Sequence, residues 1–149
     1  GNFLHEGVHV SHDTQIGNRS VFGYGSKISG NCILEDYVIF GGNVLMSQGS
    51  RVGAWAMIQT GCRFRKDIPP FIVAAQEPTT YYGVNSFIMS HEGFCEKVIK
   101  HISHAYRIIF QGNSSLTDAL LMIKDQVPMS KEIQHIIDFV GESKLGIVK

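Results

Sequence analysis

The sequence predicts a parallel β-helix followed by a small helical domain, and three observations carry this prediction. Large apolar residues recur at every sixth position from Leu4 to Phe64, eleven in succession. Small or β-branched residues recur four positions after each of them, and glycine often follows directly. The period ends at Pro69-Pro70, and from Gly93 onward the apolar residues follow a helical spacing instead.

The six-residue period is typical of a triangular coil made of hexapeptide repeats. Each hexad supplies one flat face and three hexads supply one turn of 18 residues, so successive turns stack as parallel strands about 4.8 Å apart. Eleven hexads over residues 3–70 therefore predict about 3.7 coils. The alternative is a β-sandwich with scattered valines, which would not keep one period without interruption. The large positions are Leu4, Val10, Ile16, Phe22, Ile28, Leu34, Phe40, Met46, Val52, Ile58 and Phe64.

The rest of the chain divides into two further segments. Residues 71–92 are rich in Pro, Thr, Tyr and Gly, which predicts an irregular crossover with extended pieces. Residues 93–149 predict a C-terminal domain of three helices. Gly112 ends the first helix, Ser115 caps the second and Ser130 caps the third. We expect this domain to serve as a cap or as an oligomer contact.

Composition and charge argue against several classes of protein. Lys plus Arg and Asp plus Glu number 13 each, so the chain lacks the overall charge expected of a nucleic-acid or anionic-membrane partner. No apolar run reaches transmembrane length, and no signal segment opens the chain. Cys32, Cys62 and Cys95 are odd in number and far apart, so they predict neither disulfides nor a zinc site and fit a reducing cytoplasm.

The richest polar cluster is the run His9-Val10-Ser11-His12-Asp13. One coil of 18 residues after His12 comes Gly30, and one coil later comes Gln48, so the three are predicted to form a column outside the prism. A histidine is suited to act as a general base near neutral pH, and Asp13 would orient its ring. The N–H of Gly30 would stabilise an oxyanion. These residue types favour attack of a hydroxyl or amine on a thioester.

Two other interpretations of the histidines stay open from the residues alone. The chain contains seven histidines, so His12 is also compatible with a surface turn histidine that has no role. His5, His9 and His12 are alternatively zinc ligands, as in hexapeptide-repeat carbonic anhydrases, although their close spacing lets three ligands converge poorly. We expect no metal and no cofactor.

Several motifs, in this order, resemble one enzyme family. They are His9-Val10-Ser11-His12-Asp13 with Ile16-Gly17-Asn18-Arg19, Gly41-Gly42, Asp67-Ile68-Pro69-Pro70-Phe71, Gly83-Val84-Asn85, Gly93-Phe94, Ala105-Tyr106 with Ile109, and Lys144-Leu145-Gly146-Ile147. The family is the acyl-carrier-protein:UDP-N-acetylglucosamine O-acyltransferases of lipid A biosynthesis, and the similarity covers nearly the whole chain. The resemblance implies a left-handed β-helix, which is an exception to the usual right-handed crossover.

The resemblance also implies an activity and roles for individual residues. The family transfers a hydroxyacyl chain from acyl carrier protein to the sugar 3-hydroxyl of a sugar nucleotide, needs no metal, and works as a cytoplasmic homotrimer with sites between subunits. By this resemblance His12 is the general base, Asp13 orients it and Gly30 supplies the oxyanion N–H. The substrate-binding positions are His9, Asn31, Gln48, Asn85 and His91.

The sequence departs from the family pattern in its polar contacts. Asn31 and Ser47 stand where the family usually has histidine, Phe87 replaces an acidic residue, and His91-Glu92 replaces a basic pair. The loss of basic residues weakens pairing with a diphosphate and with an acidic carrier protein. The family's first several coils are also absent. The alternatives are therefore a weak or inactive paralogue that acts as a binding or partner subunit, and a fragment of a longer enzyme.

Apolar residues on the outside of the prism independently predict self-association. The outward positions include Val21, Ile33, Ile39, Leu45 and Met57. Burying such patches between prisms contributes about 25 cal/mol per Å². We expect a homotrimer.

Overall fold

The computed structural model describes residues 1–149, and its elements follow the predicted order. Eleven two-residue strands come first, each joined to the next by a four-residue corner. They are β1 (Phe3–Leu4), β2 (His9–Val10), β3 (Gln15–Ile16), β4 (Val21–Phe22), β5 (Lys27–Ile28), β6 (Ile33–Leu34), β7 (Ile39–Phe40), β8 (Leu45–Met46), β9 (Arg51–Val52), β10 (Met57–Ile58) and β11 (Arg63–Phe64). Two longer strands, β12 (Ile72–Ala75) and β13 (Thr80–Val84), precede helices α1 (Ser86–His91), α2 (Glu96–Gln111), α3 (Leu116–Gln126) and α4 (Lys131–Gly141).

The strands form the three sheets of a triangular prism of about four turns. The six-stranded sheet has the order β1-β4-β7-β10-β12-β13, the four-stranded sheet β11-β8-β5-β2, and the three-stranded sheet β3-β6-β9. Strands one coil apart pair in parallel with a shift of 18 residues, as Phe3 with Val21 and His9 with Lys27. The predicted β-helix and its hexapeptide period are therefore confirmed.

Each short strand places its first residue outside the prism and its second residue inside. All the predicted large positions from Phe22 to Phe64 are buried. Phe40 contacts the rings of Phe22 and Phe64 edge to face, with centroid distances of 5.0 and 6.3 Å. Leu4, at the same position in the first coil, is 48% exposed.

The small residues predicted at the corners have a second role beyond their size. The Ser26 hydroxyl donates to the Gly41 carbonyl at 3.1 Å and accepts from the Val44 backbone N–H at 3.2 Å. Thr14 bridges two coils in the same way. These hydroxyls pair backbone groups that the sharp corners would otherwise leave unsatisfied, which explains why serine and threonine recur there.

The segment between the prism and the helical domain is more regular than an irregular crossover. β12 pairs in parallel with β10, placing Val73 opposite Met57, and β13 returns antiparallel to β12. The extended pieces expected here are thus strands of the six-stranded sheet. Helix α1 was not predicted. The hairpin forms because Ile72 and Ala74 continue the inward pattern and are fully buried.

The C-terminal domain contains the three predicted helices, with the predicted ends. α2 ends directly before Gly112. The Ser115 hydroxyl accepts from the Asp118 backbone N–H, and the Ser130 hydroxyl accepts from the Ile133 backbone N–H, both at 3.2 Å. These bonds pair donors that the first turn of a helix leaves free. None of the helices combines the length and apolarity needed to cross a membrane.

The helical domain packs on the last coils through one shared core and a buried ion pair. Buried residues from the prism and from the helices belong to a single hydrophobic cluster. Arg51 Nη2 donates to the Phe139 carbonyl at 2.7 Å, and its guanidinium lies 4.1 Å from the centre of that ring. Asp67, 1% exposed, accepts from the Arg51 backbone N–H at 2.9 Å and from the Ser143 hydroxyl at 2.7 Å. Prism and helices therefore form one folded unit.

Candidate active site

One edge of the prism carries the column expected from the 18-residue register. The corner turns that contain His12, Gly30 and Gln48 all join the four-stranded sheet to the three-stranded sheet, and we call this the His12 edge. The His12 carbonyl accepts from the Asn31 N–H, and the Gly30 carbonyl accepts from the Gly49 N–H, both at 3.1 Å. The three turns are thus stacked directly on one another.

The His12 ring lies between a carboxylate and a glycine. Its Nδ1 is 3.2 Å from Asp13 Oδ2, and the two side chains are 72% and 80% exposed. A Cβ placed on Gly30 would lie only 2.9 Å from His12 Nε2 and 2.8 Å from Cε1. With Nδ1 directed to the carboxylate, Nε2 is the nitrogen available to exchange a proton above Gly30.

Gly30 contributes an unpaired backbone donor to the same position. Its N–H donates no hydrogen bond within the chain, although the residue is buried. The missing side chain makes room for the His12 ring, so only glycine fits beneath it without displacing it. An unpaired backbone N–H on the glycine beneath an imidazole offers an oxyanion donor and a general base at one place on the surface.

Three of the other predicted contacts share this edge. His9 faces outward from β2, three residues before His12, and is exposed. Asn31 follows Gly30 with a φ of 59°, and its side chain is exposed. Gln48 is exposed one coil below Gly30. The structure therefore brings six predicted residues to the His12 edge, namely His9, His12, Asp13, Gly30, Asn31 and Gln48.

Asn85 and His91 lie elsewhere. The corner turn that contains Trp55 joins the three-stranded sheet to the six-stranded sheet, and we call this the Trp55 edge. Asn85 is 3% exposed, and its Nδ2 donates to the Trp55 carbonyl at 2.9 Å. His91 is the exposed last residue of the helix that Asn85 precedes. Within one chain, these two residues do not meet His12.

An aromatic cleft beside the Trp55 edge was not predicted from the sequence. The cleft has a volume of about 600 Å³, and its walls include Trp55, Phe71, Phe94 and His135. The Trp55 ring contacts Phe94 edge to face at 5.1 Å. These residues come from a corner turn, the end of the prism and two parts of the helical domain, so no single sequence motif predicts the cleft.

His135, in the wall of this cleft, is paired with Glu35. His135 Nε2 is 2.7 Å from Glu35 Oε1, which also accepts from the Ala54 N–H at 2.8 Å. This hydrogen bond raises the pKa of His135 above its ordinary value, and it outweighs the opposing effect of burial. The two side chains are 100 residues apart in sequence, which leaves no local signal for the pair.

Two of the three cysteines are buried, and no cluster of side chains suited to a metal ion is present. Burial raises the pKa of the Cys32 and Cys62 thiols, which disfavours the reactive thiolate form. No group of three or more His, Cys, Asp or Glu side chains is arranged to hold a metal ion. The zinc interpretation of His5, His9 and His12 therefore has no cluster to support it.

The fold and the His12 edge define a hexapeptide-repeat β-helix protein with a helical C-terminal domain. Residues 67–148 match the family model described as Udp N-acetylglucosamine O-acyltransferase; Domain 2, which is more than half of the chain. The chain belongs to this UDP-N-acetylglucosamine O-acyltransferase family.

Solved structures and curated relatives agree with this assignment. The UDP-N-acetylglucosamine acyltransferase LpxA from Bacteroides fragilis 9343 is 46% identical with a TM-score of 0.99, covering 100% of this chain and 58% of that one. LpxA from Acinetobacter baumannii is 29% identical with a TM-score of 0.96, covering 99% and 58%. The acyl-[acyl-carrier-protein]–UDP-N-acetylglucosamine O-acyltransferase of Thiobacillus denitrificans is 28% identical over 148 residues, 99% of this chain and 57% of that protein.

These comparisons confirm the resemblance seen in the motifs and the left-handed sense of the β-helix. The matched relatives are named as acyltransferases and not as partner subunits. The chain spans a little under three fifths of the length of the relatives that it matches.

Proposed function

We propose that this chain forms the catalytic edge of an O-acyltransferase of the lipid A type. The enzyme would move a hydroxyacyl group from acyl carrier protein to a hydroxyl of a sugar nucleotide such as UDP-N-acetylglucosamine. The observation that carries the proposal is that His12 Nε2 lies 2.9 Å from where a Gly30 Cβ would stand, on a residue whose backbone N–H is unpaired. The imidazole can take a proton from the attacking hydroxyl while the N–H stabilises the negative charge on the carbonyl oxygen.

The proposed reaction needs only these groups. The acceptor hydroxyl attacks the thioester carbonyl while His12 Nε2 removes its proton. The Gly30 N–H stabilises the oxyanion of the tetrahedral intermediate. When the intermediate collapses, the C–S bond breaks and the protonated imidazole returns the proton to the leaving thiolate. Asp13, at Nδ1, holds the ring in the orientation that presents Nε2 and stabilises its charged form.

Three neighbours of this pair are the proposed contacts to the acceptor. His9 precedes His12 in the same coil, Asn31 and Gln48 lie in the corners of the next two coils on the same edge, and all three residues are exposed. An amide both donates and accepts, and a histidine ring does so when neutral, which suits the hydroxyl groups of a sugar. Their expected effect is on the KM for the acceptor rather than on kcat.

We infer that Asn85 and His91 act on the active site of a neighbouring copy. Asn85 bonds to the Trp55 edge and His91 ends the helix that follows it, so a second prism would have to bring this part of the surface to His12. The outer face of the six-stranded sheet supports such packing because it shows a continuous apolar row. The row consists of Phe3, Val21, Ile39, Met57 and Val73, each paired with the next in register.

A homotrimer is the assembly that we propose from this packing. A three-sided prism in which one edge must meet a different edge of its neighbour forms a head-to-tail ring. All three cysteines are free, which is compatible with a reducing cytoplasm as the proposed compartment.

The mechanism is tested by substituting His12 and Asp13 in an acyl-transfer assay with hydroxyacyl carrier proteins and a panel of sugar nucleotides. His12→Ala should lower kcat by about 10²- to 10⁴-fold, the usual contribution of a general base, and Asp13→Ala should lower it less. Both side chains are exposed, so the melting temperature should stay nearly unchanged. Equal transfer by wild type and His12→Ala would refute the mechanism.

Light scattering that shows a stable monomer at micromolar concentration would refute the trimer.

A further inference from the structure

A second polar surface lies directly below the proposed catalytic column. Arg63, Arg65 and Lys66 are all exposed at the last coil, and we call them the basic cluster. They line an open cleft of about 620 Å³, together with Glu77 and the C-terminal Lys149. The chain as a whole has no net charge, so this concentration of cations is local.

The repeat aligns the basic cluster with the active site. Lys66 lies in the last corner of this edge, which is two residues shorter than the corners above it because Ile68, not Pro70, pairs with Val52. The Arg65 carbonyl accepts from the Ser50 hydroxyl at 3.0 Å, the same coil-to-coil bridge that the upper corners make. Arg63 pairs with Leu45 on the outer face of the four-stranded sheet, in the row that leads up to His9. The cluster therefore lies at the foot of the same edge.

The charges of the basic cluster are not neutralised within the chain. None of the three side chains takes part in a salt bridge. The neighbouring carboxylate of Asp67 is turned inward, where it binds Arg51 and Ser143. Glu77 is the one carboxylate side chain in the cleft wall. A surface with several unpaired cations favours an anionic partner.

We propose that the basic cluster docks the acidic face of the acyl-bearing carrier protein. The identity of this partner rests on the proposed function. Arg63 lies three strands below His9 on the outer face of the four-stranded sheet, about 14 Å at 4.8 Å per step, which is too far for these cations to touch the reacting carbonyl. It is also too far for the diphosphate of the acceptor, which is attached two carbons from the reacting hydroxyl. A carrier that delivers its acyl group on a flexible arm must place its own surface at such a distance.

The basic cluster also compensates for the missing basic pair at His91-Glu92. His91-Glu92 lacks the basic pair that the family resemblance led us to expect, which removes cations from the Trp55 edge. The basic cluster places three cations at the foot of the His12 edge. Electrostatic steering toward the active site is then retained at a different place on the surface.

The proposal is tested by binding, which does not depend on turnover. The triple variant Arg63→Gln, Arg65→Gln, Lys66→Gln is titrated with carrier protein at low and high salt, using both the holo form and the apo form without its phosphopantetheine arm. Each exposed ion pair strengthens an interaction about two- to threefold, so the triple variant should bind both forms about tenfold more weakly at low salt. Wild-type affinity should fall with salt toward that of the variant. The matched control removes three exposed lysines from the helices, Lys97→Gln, Lys100→Gln and Lys124→Gln, and should bind as wild type.

A second variant guards against a loss caused by misfolding. Glu77→Gln removes the one carboxylate side chain from the cleft and should bind the carrier more tightly than wild type. Equal binding by the triple variant and wild type would overturn the proposal. A loss of binding confined to the holo form would also overturn it, if inorganic phosphate weakens wild-type binding to the level of the triple variant. The cluster would then bind the phosphate of the arm instead of the protein surface. If the triple variant loses binding while no acyl transfer is found, the docking surface stands and the proposed reaction falls.

Discussion

Substituting Gly30 by alanine separates the geometry of the proposed active site from the stability of the fold. The new methyl group would stand 2.8 and 2.9 Å from two atoms of the His12 ring, where ordinary contacts begin near 3.4 Å. The ring must therefore retreat by about half an ångström or rotate away. Misplacement of a catalytic group by about 1 Å costs up to 10²-fold in rate, so kcat should fall between about 10- and 100-fold.

The same substitution should hardly change the free energy of unfolding. The His12 side chain is 72% exposed and moves at little cost. The nearest backbone atom, the His12 carbonyl oxygen, lies 3.2 Å from the added Cβ and needs to shift by only a few tenths of an ångström. Gly→Ala at a compatible backbone position gains about 0.4–1 kcal/mol through the unfolded state, so urea unfolding should agree with wild type within about 1 kcal/mol.

The matched control is Gly42→Ala, at the equivalent place of a corner turn on another edge. Its Cβ would meet nothing closer than the Tyr24 carbonyl oxygen at 3.5 Å. This variant should keep both activity and stability. The rate of acyl transfer and the urea unfolding curve are measured for wild type and both glycine variants. If Gly30→Ala transfers acyl groups as fast as wild type, the His12 ring does not act above Gly30 and the mechanism is wrong.

Three further predictions concern the contacts that hold the helical domain to the prism. Asp67→Ala removes the buried acceptor for Arg51. It should lower the free energy of unfolding, measured by urea denaturation, by about 2–4 kcal/mol. A change below about 0.5 kcal/mol would contradict the role of this pair. The contact with Glu35 raises the pKa of His135 in the folded protein. This contact therefore stabilises the fold fully at pH values below the pKa of histidine in the unfolded chain, about 6.5. The stabilisation is lost as the pH rises through the pKa of the folded protein. His135→Gln should therefore destabilise the protein more at pH 5.5 than at pH 8.5, and equal effects at both would refute this linkage. Tyr106→Phe leaves a buried carbonyl without its hydroxyl donor and should cost about 1–2 kcal/mol by thermal unfolding, whereas no loss would show that water replaces the hydroxyl.

The repeating part of the molecule is predictable because its geometry is local. In a coil of fixed length, a residue's position in the hexad decides whether it points inward, and adding 18 to its number gives its neighbour in the next turn. That arithmetic is enough to place His12, Gly30 and Gln48 in one column. The helix caps at Ser115 and Ser130 are equally local, since each bonds to an N–H three residues away.

The features that only the tertiary structure decided join residues with no fixed spacing. The burial of Asn85 against Trp55, the pair between His135 and Glu35, and the pairing of β12 with a strand of the prism all depend on how separate segments dock. The sequence by itself determined the β-helix, its inward residues and the His12 column, because a period repeats the same contact in every turn. It could not determine where the helices pack or which side chains line the cleft between them, because those contacts occur once and are set by the shape of the shared core.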